Sequence, residues 1–311
     1  MSRTIAVTGG TGFVGAALIR HLLARGEQVK ALARDPQKLS RTDNLITVEG
    51  ALENEAALAR LASGATAFIH CAGLTHARRD ADYHAVNVEG AARAASAAAA
   101  AGARLVDVSS LSARLPAASP YAASKFDSER AVKEASGGNE WIALRAPAIY
   151  GPGDMVTLPY FKLVKAGIAA EPLTRGEARA SILYVDDVAE AILAALDEAP
   201  SGAVYEVGDD SEDGHSWREI GRILGEVLDT NARPVRVPRA VIAVWHGAAR
   251  AAAALQGRAA SVRTGQINEF FHPDWAAREN LLSAATGWRP HTTLKEGFAK
   301  TARWYQENGL L

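Results

Sequence analysis

Short apolar runs alternate along this chain with stretches whose apolar residues recur at helical spacing. Thr4-Ile5-Ala6-Val7 is the first run, and Ala16 to Leu23, with Leu18, Ile19, Leu22 and Leu23 on one side, is the first helical stretch, closed by Gly26. Val29–Ala33, Leu45–Val48, Ala67–Gly73 (a strand and the loop that leaves it), Arg104–Val108 and Trp141–Arg145 repeat the strand pattern, with helices over Glu53–Leu61 and Tyr83–Ala101 between them. A further helix opens at Ser119-Pro120. Regular alternation of strand and helix predicts an α/β fold with a doubly wound parallel sheet of the Rossmann type.

Past Gly153 the alternation breaks. A helix over Met155–Ala166 is expected to leave the sheet and a strand over Arg179–Tyr184 to return to it; Asp186 is expected to cap a helix through Leu196, followed by a last strand over Ala203–Val207 and an amphipathic helix over Ser216–Leu228. These elements divide the chain into a dinucleotide-binding domain over 1–150 and 181–208 and a smaller, discontinuous substrate domain over 151–180 and 209–311. Val237–Leu255, apolar and containing Trp245, predicts a core or pocket-lining helix, with peripheral membrane contact as the alternative; Pro238, His246 and Arg250 argue against a span. Phe270-Phe271-His272-Pro273-Asp274-Trp275 is an aromatic cluster that either closes a pocket or packs the small domain.

Composition narrows the classes of function. The 311 residues are 48% hydrophobic, ample for a large core, and the net charge of −1 offers nothing to nucleic acid. A lone cysteine, Cys71, excludes an internal disulfide framework and a cysteine-cluster metal site, and His70 beside it has no partners at ligand spacing, so no metal is expected. The first strand begins almost at once, with no signal peptide, and a reducing, cytoplasmic setting is the expectation. The alanine-rich half of the Tyr83–Ala101 helix suits close packing, including across a homodimer.

Candidate chemistry begins at Thr8-Gly9-Gly10-Thr11-Gly12-Phe13-Val14-Gly15, where a buried strand turns into a helix. Gly9 permits the tight turn, Gly12 lets a pyrophosphate approach, and Gly15 lets the helix pack closely; the open N–H groups of the helix start then bind phosphate. At the end of the second strand an acid would bind the ribose of NAD, but Ala33 is followed by Arg34, which suits the additional phosphate of NADP. Asp35 is the competing signal, or simply a turn residue before Pro36. The fifth strand ends in Ser109-Ser110, and Tyr121 and Lys125, four residues apart, share a helix face. A nearby ammonium favours phenolate, and a serine at a strand end holds a substrate oxygen beside the phenol.

At these residues the sequence resembles the short-chain dehydrogenase/reductase superfamily, in its extended branch of NAD-dependent epimerases, dehydratases and 3β-hydroxysteroid dehydrogenases. The resemblance runs through the glycine loop, His70-Cys-Ala-Gly73, Asn87-Val-Glu-Gly90, Ser109-Ser110, Tyr121-Ala-Ala-Ser-Lys125 and Leu144-Arg-Ala-Pro-Ala-Ile-Tyr-Gly-Pro-Gly153. It continues through Tyr184-Val-Asp-Asp-Val188, with tyrosine in place of histidine, to Gly287-Trp-Arg-Pro290 and Leu294-Lys-Glu-Gly297. It implies Tyr121 as acid/base, Lys125 lowering its pKa and holding the nicotinamide ribose, and Ser110 orienting the reacting oxygen. Cofactor contacts are implied for Gly9, Thr11, Gly12, Phe13, Val14 and Gly15, for Cys71, Ala72 and Gly73, and for Asn87, Val108, Pro147 and Ile149, beside Tyr121, Lys125 and Arg34. The sequence departs from the pattern at Ala51, where many relatives carry an adenine-contacting Asp, and in the short loop from Ser110 to Tyr121.

These readings predict an NADP(H)-dependent oxidoreductase, with NAD(H) as the other cofactor choice, interconverting a ketone and a secondary alcohol on an apolar, sterol- or lipid-like small molecule. Leu111 and Ser112 supply no carboxylate after the serine, which disfavours dehydration of a nucleotide sugar without excluding epimerisation. A cofactor-bound structural or redox-sensing subunit is the non-enzymatic alternative, disfavoured by the intact Tyr121/Lys125 pair.

Overall fold

A computed structural model describes residues 3–40, 42–77, 79–242 and 264–311. In chain order its strands are β1 (Thr4–Thr8), β2 (Gln28–Ala33), β3 (Leu45–Glu49), β4 (Ala67–His70), β5 (Arg104–Ser110), β6 (Trp141–Ala146), β7 (Ala148–Tyr150), β8 (Ile168–Pro172), β9 (Arg179–Ala180), β10 (Ile182–Tyr184), β11 (Ala203–Glu206), β12 (His215–Ser216), β13 (Arg233–Val237) and β14 (Asp274–Trp275). Seven of them form one sheet in the order β11-β6-β5-β4-β1-β2-β3, every pairing parallel. The order reverses between β1 and β4, and ligands of such sheets bind at the carboxyl ends of the strands beside that reversal.

Both sheet faces are covered, so the strands are apolar on both sides. Adjacent residues of one strand therefore enter different cores. Ile5 and Val7 pack with Leu18, Leu22 and Ile192 beneath the helices Phe13–Ala24 and Val185–Glu198. Ala6 between them packs with Phe68, Leu58 and Leu105 beneath the helices Glu55–Ala62, Gly90–Ala100 and Pro120–Ser136. The alanine run serves this second core: Ala91, Ala94, Ala95 and Ala98 are buried within the chain.

A third core gathers Tyr150 of β7 with Phe161, Tyr184 and Leu224 from later segments and Phe298 and Tyr305 from the helix Leu294–Glu307. Its tightest point is Gly297, where any side-chain carbon would overlap the Tyr150 hydroxyl. The Val-Asp-Asp-Val segment explains itself in the same region. Asp187 is buried and accepts the backbone N–H groups of His291 (2.9 Å) and Thr292 (3.3 Å), which fixes the approach to the last helix.

Several element expectations need correction. The Tyr83–Ala101 helix is interrupted by a π-helical segment, His84–Glu89, between Asp80–Tyr83 and Gly90–Ala100. The helix expected from Met155 begins at Leu158, because the Asp154 carboxylate accepts from the N–H groups of Val156 (2.7 Å) and Thr157 (3.0 Å) and holds that stretch as a turn. Arg179–Tyr184 is two strands that do not join the main sheet. The Ser181 N–H donates to the Trp275 carbonyl; β9 pairs with β12 and β14, and β10 with β7. Asp186 does not cap its helix. It lies in the first turn and pairs with Arg20 (2.9 Å) and His21 (3.2 Å) of the first helix. Val237 ends β13 rather than starting a helix. Residues 239–242 are helical, as expected, but mostly exposed, and the remainder of Val237–Leu255, with Trp245, His246 and Arg250, lies outside the described residues.

Candidate active site

The glycine loop leaves β1 with Gly9 at φ +74°, a conformation that a side chain resists, and a carbon there would lie 2.6 Å from the Ala72 amide nitrogen. Gly15 is required by the loop rather than by the sheet: a side chain on it would overlap the Gly9 carbonyl oxygen. The helix that follows starts at Phe13 with no side-chain cap and no acid in its first turn, so its N–H groups and positive dipole end stay open to an anion. Gly9, Gly12, Phe13, Val14 and Gly15 line one end of a cleft of about 1950 Å³ at the carboxyl ends of the strands. Typical small-ligand pockets hold about 300–1,000 Å³, so a dinucleotide leaves room for a second large molecule.

Cys71, Ala72 and Gly73, just past β4, form the adjoining wall. Burial pushes the Cys71 thiol up to about 12, so it is a packing group and not a nucleophile. His70 beneath it is buried against Thr8, whose Oγ1 lies 2.7 Å from Nδ1, and burial with the Lys125 charge holds the imidazole down at about 3. Asn87, buried on the π-helical segment, ties this wall to the catalytic helix. Its Nδ2 donates to the Leu74 carbonyl (3.0 Å) and to Ser124 Oγ (2.9 Å), while its Oδ1 accepts from the Leu74 N–H (2.7 Å). Pro147 and Ile149, between β6 and β7, line the cleft from the other side. Thr11, at the exposed tip of the glycine loop, and Arg34, exposed past β2, lie outside that lining.

Arg34 instead lines a shallow depression with Gly50, Ala51, Asn54 and the acids Glu49, Glu53 and Glu55. Its guanidinium has no ion pair among the described residues. Asp35 is committed elsewhere: its carboxylate accepts the Gln37 N–H (3.1 Å) and caps the turn Pro36–Lys38.

Ser110, Tyr121 and Lys125 meet at the middle of the cleft. Ser119 starts the catalytic helix by accepting the Ala122 N–H (2.9 Å), with Pro120 in the first turn, and this places Tyr121 and Lys125 one turn apart on the side facing β5. The Ser110 hydroxyl hydrogen-bonds the Tyr121 phenol; burial nonetheless pushes that phenol up to about 12, with Glu269 and Tyr83 adding to the shift. Lys125 is buried, and its Nζ donates to the Val108 carbonyl (2.9 Å) at the edge of β5. Its charge acts on His70 and on Asp107, a fully buried acid whose carboxylate oxygens have no hydrogen-bond partner among the described residues.

Glu269 was not legible as a site residue. It comes from the helix Thr264–Phe270, and its carboxylate takes the Ser119 hydroxyl on one oxygen and the Ser112 hydroxyl (3.3 Å) on the other. Burial pushes this carboxyl above its ordinary range, with the two serines opposing. Phe270 and Trp275 of the aromatic cluster line the same end of the cleft. Away from the cleft lining, Asp209, Asp210 and His215 place ligand-type atoms within 4.8 Å of one another, but His215 Nε2 is already bonded to Asp210 at 2.8 Å.

A glycine loop at the sheet reversal, with serine, tyrosine and lysine converging across the strand ends, defines an extended short-chain dehydrogenase/reductase. The comparisons agree, and the chain belongs to the NAD dependent epimerase/dehydratase family, whose profile matches residues 5–208. It is 38% identical over 309 residues to the ceramide reductase of Caulobacter vibrioides, covering 99% of this chain and 96% of that protein. The solved structure of gox2253 superposes with a TM-score of 0.78 at 21% identity, covering 100% of both chains. The Bordetella bronchiseptica enzyme WbmG, in complex with NAD and UDP, superposes with a TM-score of 0.74 at 20% identity, covering 100% of this chain and 97% of that one. The protein is an NAD(P)-dependent enzyme of the reductase/epimerase kind. Among the described residues no helix is long and apolar enough to cross a membrane.

Proposed function

We propose that the protein uses NADPH to reduce a ketone on a long-chain, lipid-like substrate. One observation carries this reading: among the described residues lining the cleft, Lys125 is the only lysine, and there is no arginine. Among the described residues a nucleotide-sugar diphosphate would therefore find no guanidinium or free ammonium at the substrate end, where buried anions need such partners. Met155, Val156, Trp217, Ile242, Phe270 and Trp275 offer apolar surface there instead. The similarity to a ceramide reductase supports a lipid in that space.

The open glycine-loop helix start would hold the cofactor's pyrophosphate, and Lys125, Asn87 and the Pro147–Ile149 backbone border the place of its nicotinamide half. When bound, the nicotinamide supplies hydride to the carbonyl carbon. Ser110 Oγ orients the carbonyl oxygen, and Tyr121 Oη gives that oxygen its proton. The phenol, raised to about 12 by burial, is protonated at neutral pH and so has a proton to give in the reducing direction. The free guanidinium of Arg34 and the engaged carboxylate of Asp35 favour NADP(H) over NAD(H).

The test is a substrate panel with purified protein, following consumption of NADPH and interconversion of UDP-sugars. Consumption with long-chain ketones and none with UDP-sugars is expected; UDP-sugar epimerisation without ketone reduction overturns the reading.

A further inference from the structure

Glu269 is a carboxylate in an otherwise largely apolar cleft, and nothing in the hydride-transfer chemistry requires it. It bridges the segments that carry the two reacting hydroxyls: Ser112 lies just beyond Ser110, and Ser119 just before Tyr121. Each of its oxygens receives a single serine hydroxyl, whereas a carboxylate accepts about four hydrogen bonds. It has no ion pair among the described residues, and Lys125 is turned to Val108. Its backbone is fixed as well, since Trp275 Nε1 donates to the Glu269 carbonyl (2.7 Å) and Asn268 Nδ2 to the Ala118 carbonyl (2.9 Å). The side chain is thus held at the cleft wall beside Tyr121 with the two serine hydroxyls as its hydrogen-bond donors among the described residues.

A carboxylate held in this way selects among substrates. A ketone with nothing but hydrocarbon around it would cover the carboxylate and strip its water without replacing the lost hydrogen bonds. A phosphate would be repelled. A substrate with an N–H or O–H near its carbonyl would donate to the carboxylate while its chains occupy the apolar wall. We infer that Glu269 is a substrate-recognition residue, and that the substrate is a long-chain ketone bearing a hydrogen-bond donor, an amide N–H or a hydroxyl, beside the carbonyl. This rests on the proposed ketone reduction and specifies its substrate class.

The experiment compares two ketones of equal chain length, one with a secondary amide N–H beside the carbonyl and the other with that nitrogen methylated, using wild type and Glu269→Gln. A hydrogen bond to a charged acceptor contributes roughly ten- to hundredfold in kcat/KM. Wild type should prefer the N–H ketone by that factor, through KM, and Glu269→Gln should lose most of the preference, its loss in kcat/KM on the N–H ketone exceeding its loss on the methylated ketone by about tenfold. Equal use of both ketones by wild type overturns the inference whether or not the variant folds, and so does an equal loss on both in a folded variant. Failure of wild type to reduce either ketone would instead remove the ketone-reductase reading, so the two failures are distinguishable.

Discussion

Lys125 gives its ammonium to the carbonyl oxygen of Val108 at 2.9 Å, and not to the phenol of Tyr121 one turn earlier on the same helix. The four-residue spacing places both side chains on one face, but the partner of each is set by the edge of β5. Ser110, the last residue of that strand, meets the phenol, while the Val108 carbonyl within it meets the ammonium. Tyr121 thereby keeps its proton, and the Lys125 side chain is anchored on the strand edge under the cleft.

Tyr121→Phe removes the phenolic proton and keeps the ring, which packs at 6.0 Å from Tyr83. General acid catalysis contributes about 100- to 10,000-fold, and turnover of the folded variant should fall by that factor with the NADPH dissociation constant little changed. Steady-state kinetics with a ketone substrate and a fluorescence titration of NADPH check this; turnover near wild type would remove Tyr121 as the acid.

Arg34→Ala should weaken NADPH more than NADH, because only the former carries the phosphate that an exposed cation beside Gly50 and Ala51 is placed to meet. Titration of both cofactors decides it. Equal losses would show that Arg34 does not read the phosphate.

Arg145 holds a buried charge network under Ser109. It makes paired bonds to Glu129, both at 2.9 Å, lies 3.7 Å from Glu206, and Glu129 also takes the Ser109 hydroxyl at 2.6 Å. Arg145→Met would leave two buried carboxylates without this cation, and breaking a buried pair in that way costs about 3–5 kcal/mol. Urea unfolding measures the loss; a change below about 1 kcal/mol would mean that the network contributes little.

His70 gives stability a pH dependence of known sign. Its folded pKa of about 3 lies below the value of about 6.5 expected unfolded, so between these the unfolded chain binds a proton that the folded chain does not. Stability therefore rises with pH across that window, by up to about 1.4 kcal/mol per pH unit, and falls on acidification. His70→Asn should flatten the slope by that one proton in urea unfolding between about pH 6.5 and 4.5. His215 works oppositely: burial pulls it down, but Asp210, Asp209 and Glu219 together hold it above its ordinary value. Its contribution is complete below about pH 6.5 and is lost as pH rises through the raised pKa.

What the sequence made legible was what depends on neighbours along the chain. The glycine loop, the strand ends at Ser110 and the Tyr121/Lys125 face are local patterns, and the seven-stranded parallel sheet follows from their alternation. Asp186 was misread as a cap because Arg20 and His21, its actual partners, come from the first helix. Arg179–Tyr184 has strand composition throughout, but the Ser181 N–H is claimed by Trp275 and the run divides between two small sheets. The π-helical segment around Asn87 left no mark on an apolar period. Glu269 could not be found from a search for carboxylates next to Ser110, since it reaches Ser112 and Ser119 across the fold.

The seat of Tyr150 against Gly297 also makes one wall of the cleft depend on a distant part of the chain. Tyr150 lines the cleft beside Ile149, yet it packs on Phe298 at 5.0 Å and on a glycine of the helix Leu294–Glu307. The segments up to β7 carry nearly all the groups assigned to cofactor and chemistry, but that wall takes part of its support from the helix Leu294–Glu307 and part from Tyr184. A chain cut before that helix would thus keep the groups of the site and lose a brace behind one of its walls.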